Sequence, residues 1–176
     1  MAFLSISLRY LINMESLNGI ESVGNISRHR VAPMIVPTDT GYSVRYVPAV
    51  SGETIAHAYQ TLIADEAAKS GLPVGKRSMQ GELLKFTDDG LLKEEGIVPP
   101  KGYEDMRRVE VDIMLKDIVS DIGGFMYTGR VPIKRTSAFQ VSYMIPAYDS
   151  SETAALEAQF HVRFSPSNAN YQIPYT

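Results

Sequence analysis

An α+β domain on an antiparallel or mixed sheet is what the order of elements predicts. An alternating apolar segment opens the chain, one strongly periodic helix follows, and short alternating segments come after it. With 176 residues, the chain fits one domain with an insertion at about residues 74–105.

From Leu4, the residues Leu4, Ile6, Leu8, Tyr10, Ile12 and Met14 alternate with Ser5, Ser7, Arg9 and Asn13, which predicts a half-buried strand. The stretch "NGIESVGNISRHRVAPMIVPTDTG" has several glycines and prolines together with Val31, Met34, Ile35 and Val36, and reads as a packed-down loop. A strand from Tyr42 to Val47 follows. In "VSGETIAHAYQTLIADEAAKSGLP", Ile55, Ala58, Tyr59, Leu62 and Ile63 recur at helical spacing, Ser51 is placed as N-cap, and Gly71 with Pro73 supplies the stop. From Val74 to Tyr103 the chain turns glycine-, proline- and charge-rich, an insertion or lid. Val109, Val111, Ile113 and Leu115 alternate and are read as a strand, although Met106, Val109 and Ile113 also fit a helical stripe. Phe139, Val141, Tyr143 and Ile145 predict one further strand, and Phe160, Val162 and Phe164 another.

Composition narrows the function. A formal net charge of −3 excludes whole-surface attraction to polyanions, so nucleic-acid binding must come from local patches. The absence of cysteine removes disulfides, thiolate metal sites and thiol catalysis, and suits a reducing compartment such as the cytoplasm. No apolar run reaches the roughly 20 residues that span a bilayer, and "MAFLSISLRYLIN" lacks the basic leader and cleavage site of an export signal.

Against this acidic background, two short clusters of positive charge stand out. Arg28, His29 and Arg30, flanked by Asn25 and Ser27, combine planar guanidinium donors with neutral ones, a composition suited to gripping a sugar-phosphate backbone. The plainer alternative is a solvated loop whose charges pair with Glu15 or Glu21. In "GGFMYTGRVPIKRTSAFQVSYMIP", Arg130, Lys134 and Arg135 sit among Phe125, Tyr127 and Phe139, with Thr136 and Ser137 adding hydroxyls, a mixture found where single strands bind. Here the alternative is a hairpin with its aromatics in the core and its basic groups outside. Ser51 and Gly52 can aim helix N-terminal amides at an anion, although Glu53 competes for the same end. His57 reads first as a packed histidine, and Arg163 with His161 would extend a basic surface.

Catalytic motifs are sparse. "SGLPVGK" mimics the end of a phosphate-binding loop but lacks the first glycine and follows a helix, so it is set aside. The three histidines show no metal-ligand spacing, and there is no GxSxG elbow. Asp112, Asp117 and Asp121 could converge on magnesium, and carboxylates such as Asp117 and Asp121 would serve a metal-dependent ribonuclease, the alternative function, although such spacing more often marks an exposed face. No cofactor, metal or enzyme activity is expected.

Four stretches in order, "NMESLNGIESVGNISRHRVAP", "VPAVSGETIAHAYQ", "DIGGFMYTGRVPIKRTSAFQVSYMIPA" and "EAQFHVRFSP", resemble the CRISPR-associated DevR autoregulator family, the RAMP-type backbone subunits of archaeal type I Cascade complexes. The resemblance implies a modified RNA-recognition-motif (ferredoxin-like) palm with inserted finger and thumb elements, lacking its C-terminal part, since family members continue well beyond the position of Thr176. It implies copies polymerised in a helical filament along a CRISPR guide RNA, held with other interference-complex subunits and reaching target DNA through the guide. On that pattern Asn25 to Arg30, Ser51 with Gly52, and Lys134 to Ser137 lie along the RNA, and His57 and Gln60 fall where related subunits carry basic residues.

Overall fold

The computed structural model describes residues 3–12, 19–23, 26–147, 159–160, 162–164 and 172–174. Helix and strand are mixed, with small antiparallel sheets, as the α+β expectation requires. The chain divides into two compact units, Met1–Ser51 with Ser142–Thr176, and Gly52–Val141.

The first unit is built of strands. β1 (Gly19–Val23), β2 (Ile26–His29) and β7 (Gln159–Phe160) form an antiparallel sheet in the order β1-β2-β7. β3 (Val31–Thr38) and β4 (Gly41–Pro48) form a long hairpin whose register runs from Val31 opposite Pro48 to Thr38 opposite Gly41, leaving Asp39 and Thr40 as a two-residue turn. β8 (Val162–Phe164) pairs with β9 (Gln172–Pro174). Thus the segment expected as a packed loop is mostly ladder. Pro33 and Pro37 read as breakers, but among the described strands β3 pairs with β4 alone, and an edge strand tolerates residues without an N–H.

Two of the expected strands lack a ladder. Residues 3–12 belong to no strand or helix, and Leu4, Ile6, Leu8, Tyr10 and Ile12 are exposed; alternation alone makes no strand without a ladder partner, and none of the described strands pairs with this segment. Met14 lies outside the described residues. The stretch from Phe139 to Ile145 also lacks a ladder, apart from an isolated bridge between Val50 and Met144. The late strand appears as β7 and β8, with residue 161 between them outside the described residues.

The second unit is mainly helical. α1 (Gly52–Lys69) realises the expected helix. It ends in a Schellman motif: Gly71 takes φ +70°, its N–H donates to Ala68 O, and the Leu72 N–H donates to Ala67 O. α2 (Lys76–Met79), α3 (Asp89–Glu94) and a 3₁₀ turn (Tyr103–Asp105) occupy the segment expected as an insertion. That segment supplies Phe86, Leu92 and Ile97 to a core shared with Val109, Ile113, Phe125, Tyr127 and Ile133. Each such side chain, fully buried, contributes about 1.5–3 kcal/mol.

α4 (Met106–Lys116) replaces the expected strand. The stripe Met106, Val109, Ile113 packs on the core while Leu115 is exposed, and Arg107–Glu110 and Arg108–Asp112 pair at helical spacing. Helical period therefore outweighs the apparent alternation. α5 (Ile118–Gly123) begins at Asp117, and β5 (Phe125–Tyr127) pairs with β6 (Ile133–Arg135).

The Tyr127 hydroxyl donates to Asp89, and burial, with that carboxylate, pushes its pKa up to about 12. A phenol whose folded pKa lies above its unfolded value of about 10 stabilises the fold below that value and loses the contribution as pH rises. Urea midpoints should therefore fall between about pH 10 and 12 less steeply in Tyr127→Phe than in the parent. Equal slopes would contradict the assignment.

Candidate nucleic-acid interface

In the first unit, Ser27, Arg28 and His29 lie on β2, and the ladder sets Arg28 opposite Glu21, one of the two carboxylates considered as its partner. His29 is half-buried, and its Nδ1 has no hydrogen-bond partner among the described residues. Arg30 is half-buried at the root of the β3–β4 hairpin, where its carbonyl accepts from the Ala49 N–H, and it makes no ion pair with any described residue. Arg163 lies on β8 opposite Ile173. Asn25 is outside the described residues. Ser51, at the end of this unit's first segment, is buried.

In the second unit, the two-residue period of β6 sorts the cations. The register places Met126 opposite Lys134 on the exposed face, and Phe125 opposite Arg135 on the face that carries Ile133 into the core. Lys134 is accordingly exposed. Arg135 instead donates through Nε to Asp121 O at 3.0 Å, pairs with Asp121 Oδ1 at 2.5 Å and reaches Glu110 Oε1 at 3.5 Å. Its guanidinium is thus held in an internal network. Arg130 and Thr136 are exposed, and neither Arg130 nor Lys134 pairs with a described carboxylate.

Phe125 and Tyr127 are core residues, so neither ring offers a stacking surface. Phe139 meets Tyr59 of α1 edge-to-face, with centroids 4.9 Å apart and planes at 88°, tying the segment after β6 to that helix. Ser137 Oγ donates to Phe139 O at 2.8 Å and accepts from the Phe139 N–H, which shapes this turn.

On α1, Gly52 is the first residue and His57 is exposed, one face away from the packed position expected of it. Gln60 is buried, with Nε2 donating to Ala56 O at 3.0 Å and Oε1 without a partner among the described residues. The sequence reading missed Lys85. Lys85 and Phe86 take φ of +52° and +58°, and Lys85 Nζ donates to Gly123 O at 3.2 Å at the end of α5. Burial lowers its pKa, opposed by the field of Asp117. Nothing in its sequence neighbourhood marks a lysine on left-handed backbone.

The aspartates offered for magnesium are otherwise engaged. Asp117 is fully buried and accepts from Gly75 N, Ser78 Oγ, Val119 N, Ser120 N and Ser120 Oγ. Asp121 pairs with Arg135, and Asp112 with Arg108. Among the described residues no group of three or more His, Asp or Glu is placed to hold a metal ion, and no helix is long and apolar enough to cross a membrane.

In the second unit the exposed Lys134 lies on β6 and the exposed Arg130 in the loop before it. The profile of the CRISPR-associated negative auto-regulator DevR/Csa2 matches residues 6–176, and the chain belongs to this family. It is 58% identical over 160 residues to the CRISPR-associated aCascade subunit Cas7/Csa2 2 of Saccharolobus solfataricus, covering 90% of this chain and 50% of that protein. It is 42% identical over 164 residues to the CRISPR-associated protein Cas7/Csa2 1 of the same organism, covering 93% and 50%. The chain spans about half the length of both curated relatives.

Proposed function

We propose that this chain is a non-catalytic, structural RNA-binding subunit of a type I CRISPR interference complex in the cytoplasm, gripping single-stranded guide RNA by its phosphodiester backbone. The carrying observation is that Arg130 and Lys134 stand exposed with no described carboxylate beside them, in a chain of net charge −3. A guide-binding protein must accept any spacer, which favours contacts to phosphate and ribose and leaves discrimination to base pairing. Copies assemble side by side in a helical filament with other complex subunits, and target DNA is met through the guide. The fold we assign is a modified RNA-recognition-motif palm with inserted finger and thumb elements. Membership in the DevR/Csa2 family and the aCascade name of a 58% identical relative support this reading.

The set of cations to remove follows from the geometry. Arg135 is excluded, because its loss would strand Asp121 and Glu110 and confound binding with stability. Replacing Arg28, Arg30, Arg130 and Lys134 together with alanine should sharply reduce RNA retention on a filter, and should flatten the log–log salt slope by roughly 0.7 for each phosphate that the variant no longer neutralises. Unchanged retention and slope would overturn the proposal.

A further inference from the structure

The end of α5 is closed by a lysine that is remote from it in sequence. The final carbonyls of a helix have no donor within the helix and must find one elsewhere. In α5, Asp121 O accepts from Arg135 Nε at 3.0 Å, Ile122 O from the Ala138 N–H at 2.8 Å, and Gly123 O from Lys85 Nζ at 3.2 Å. Two of these donors belong to β6 and the turn that leaves it, so this segment is docked on the helix end. Lys85 supplies the remaining one, as a cation suited to a helix C-terminus.

Lys85 is held there against its backbone preference. Lys85 and Phe86 are consecutive non-glycine residues with φ of +52° and +58°, a region that is unfavourable for any residue with a Cβ. What offsets this strain is where the two side chains go: Phe86 enters the core, and the Lys85 ammonium reaches α5. A second acceptor lies beside the first. Gln60 is buried on α1, and its Oε1, without a partner among the described residues, sits over Gly123, where a Cβ would collide with it and would lie 3.3 Å from Lys85 Nζ. An ammonium carries three N–H groups, so Lys85 has donors to spare for this oxygen.

The closure controls the next peptide. Gly124 follows directly, and it packs so closely that a Cβ would lie 2.6 Å from both Arg135 O and Ser137 N. Rotation of the Gly123–Gly124 peptide, which the Lys85 bond opposes, would press on the stretch that sets the exposed Lys134 and Thr136. Resting on the RNA-binding reading above, we propose that Lys85 is a positioning residue for the contact of Lys134 and Thr136 with phosphate. It does not meet the RNA itself, and acts by fixing the helix end on which β6 and its following turn are docked.

The test titrates a short oligouridylate across a range of salt. Lys85→Met keeps the apolar stem and removes the ammonium; it should bind about threefold to tenfold more weakly than the parent, with an unchanged log–log salt slope. Lys134→Ala, which removes a phosphate contact, should flatten that slope by about 0.7. In the Lys134→Ala background, adding Lys85→Met should weaken binding less than it does in the parent, because Lys85 acts through Lys134; a merely structural role would give independent losses. Should circular dichroism show that Lys85→Met does not fold, Lys85→Gln, which keeps an uncharged N–H donor, carries the same readouts. Parent-like affinity of the folded variant, additive losses in the double variant, or a slope lowered by about 0.7, as for a direct phosphate contact, would each overturn the positioning role and leave the RNA reading standing. A parent that does not bind oligouridylate removes the RNA reading, and this proposal falls with it.

Discussion

Asp117→Ala should cost about 3–5 kcal/mol of stability, the range for stranding partners of a buried charged group. Asp117 is fully buried between α4 and α5, and its carboxylate ties three pieces of the second unit together. Oδ1 accepts from Gly75 N at 3.1 Å and Val119 N at 3.2 Å. Oδ2 accepts from Ser78 Oγ at 2.9 Å, Ser120 N at 3.2 Å and Ser120 Oγ at 2.6 Å. Truncation would leave the buried Gly75, Val119 and Ser120 amides without their acceptor, and would remove the N-cap of α5. Asp117→Asn keeps the shape but turns one acceptor into a donor among other donors, so it should lie between parent and alanine. Urea unfolding of the three proteins checks this. A loss below about 1 kcal/mol for alanine would mean that these bonds carry little net energy.

Gly124→Ala should be nearly as damaging, at about 2–4 kcal/mol, for two separate reasons. Gly124 has φ +72° and ψ 162°, a region that essentially only glycine enters. A Cβ there would lie 2.6 Å from both Arg135 O and Ser137 N, backbone atoms that cannot step aside. Gly81→Ala serves as a control for positive φ without crowding, because Gly81 has φ +76° but nothing within 4 Å of its would-be Cβ. Its cost should be that of the backbone conformation alone, about 1–2 kcal/mol. Thermal unfolding of both variants separates the contributions, and equal losses would show that the close approach at Gly124 is not felt. The same substitution pushes on Thr136 and Ser137, so it should also lower RNA retention while leaving the charge of Lys134 untouched.

Local signals were legible wherever they did not depend on a distant partner. α1 was readable because both its apolar period and its glycine stop lie in adjacent sequence, and β4 because a strand beside a tight turn needs only its hairpin neighbour. Residues 3–12 were misread for the opposite reason, since a strand exists only with a ladder partner that composition does not name. At Met106–Lys116 two periods overlapped, and the deciding facts were the core against Val109 and Ile113 and the ion pairs along the outer face. Lys134 and Arg135, adjacent and chemically alike in the sequence, part company because a strand sends neighbours to opposite sides. Asp117 has the composition of a metal ligand but caps α5 locally, and its remaining bonds go to Gly75 and Ser78, 42 and 39 residues away, partners that composition does not name.

Sequence-blind binding to a ribose-phosphate chain is tested most directly by titrating the unmodified protein with two single-stranded RNAs of unrelated sequence and equal length, across a range of salt. The expected result is the same affinity for both, falling along a common log–log line as salt rises. Affinity indifferent to salt, or strongly different between the two sequences, would contradict it.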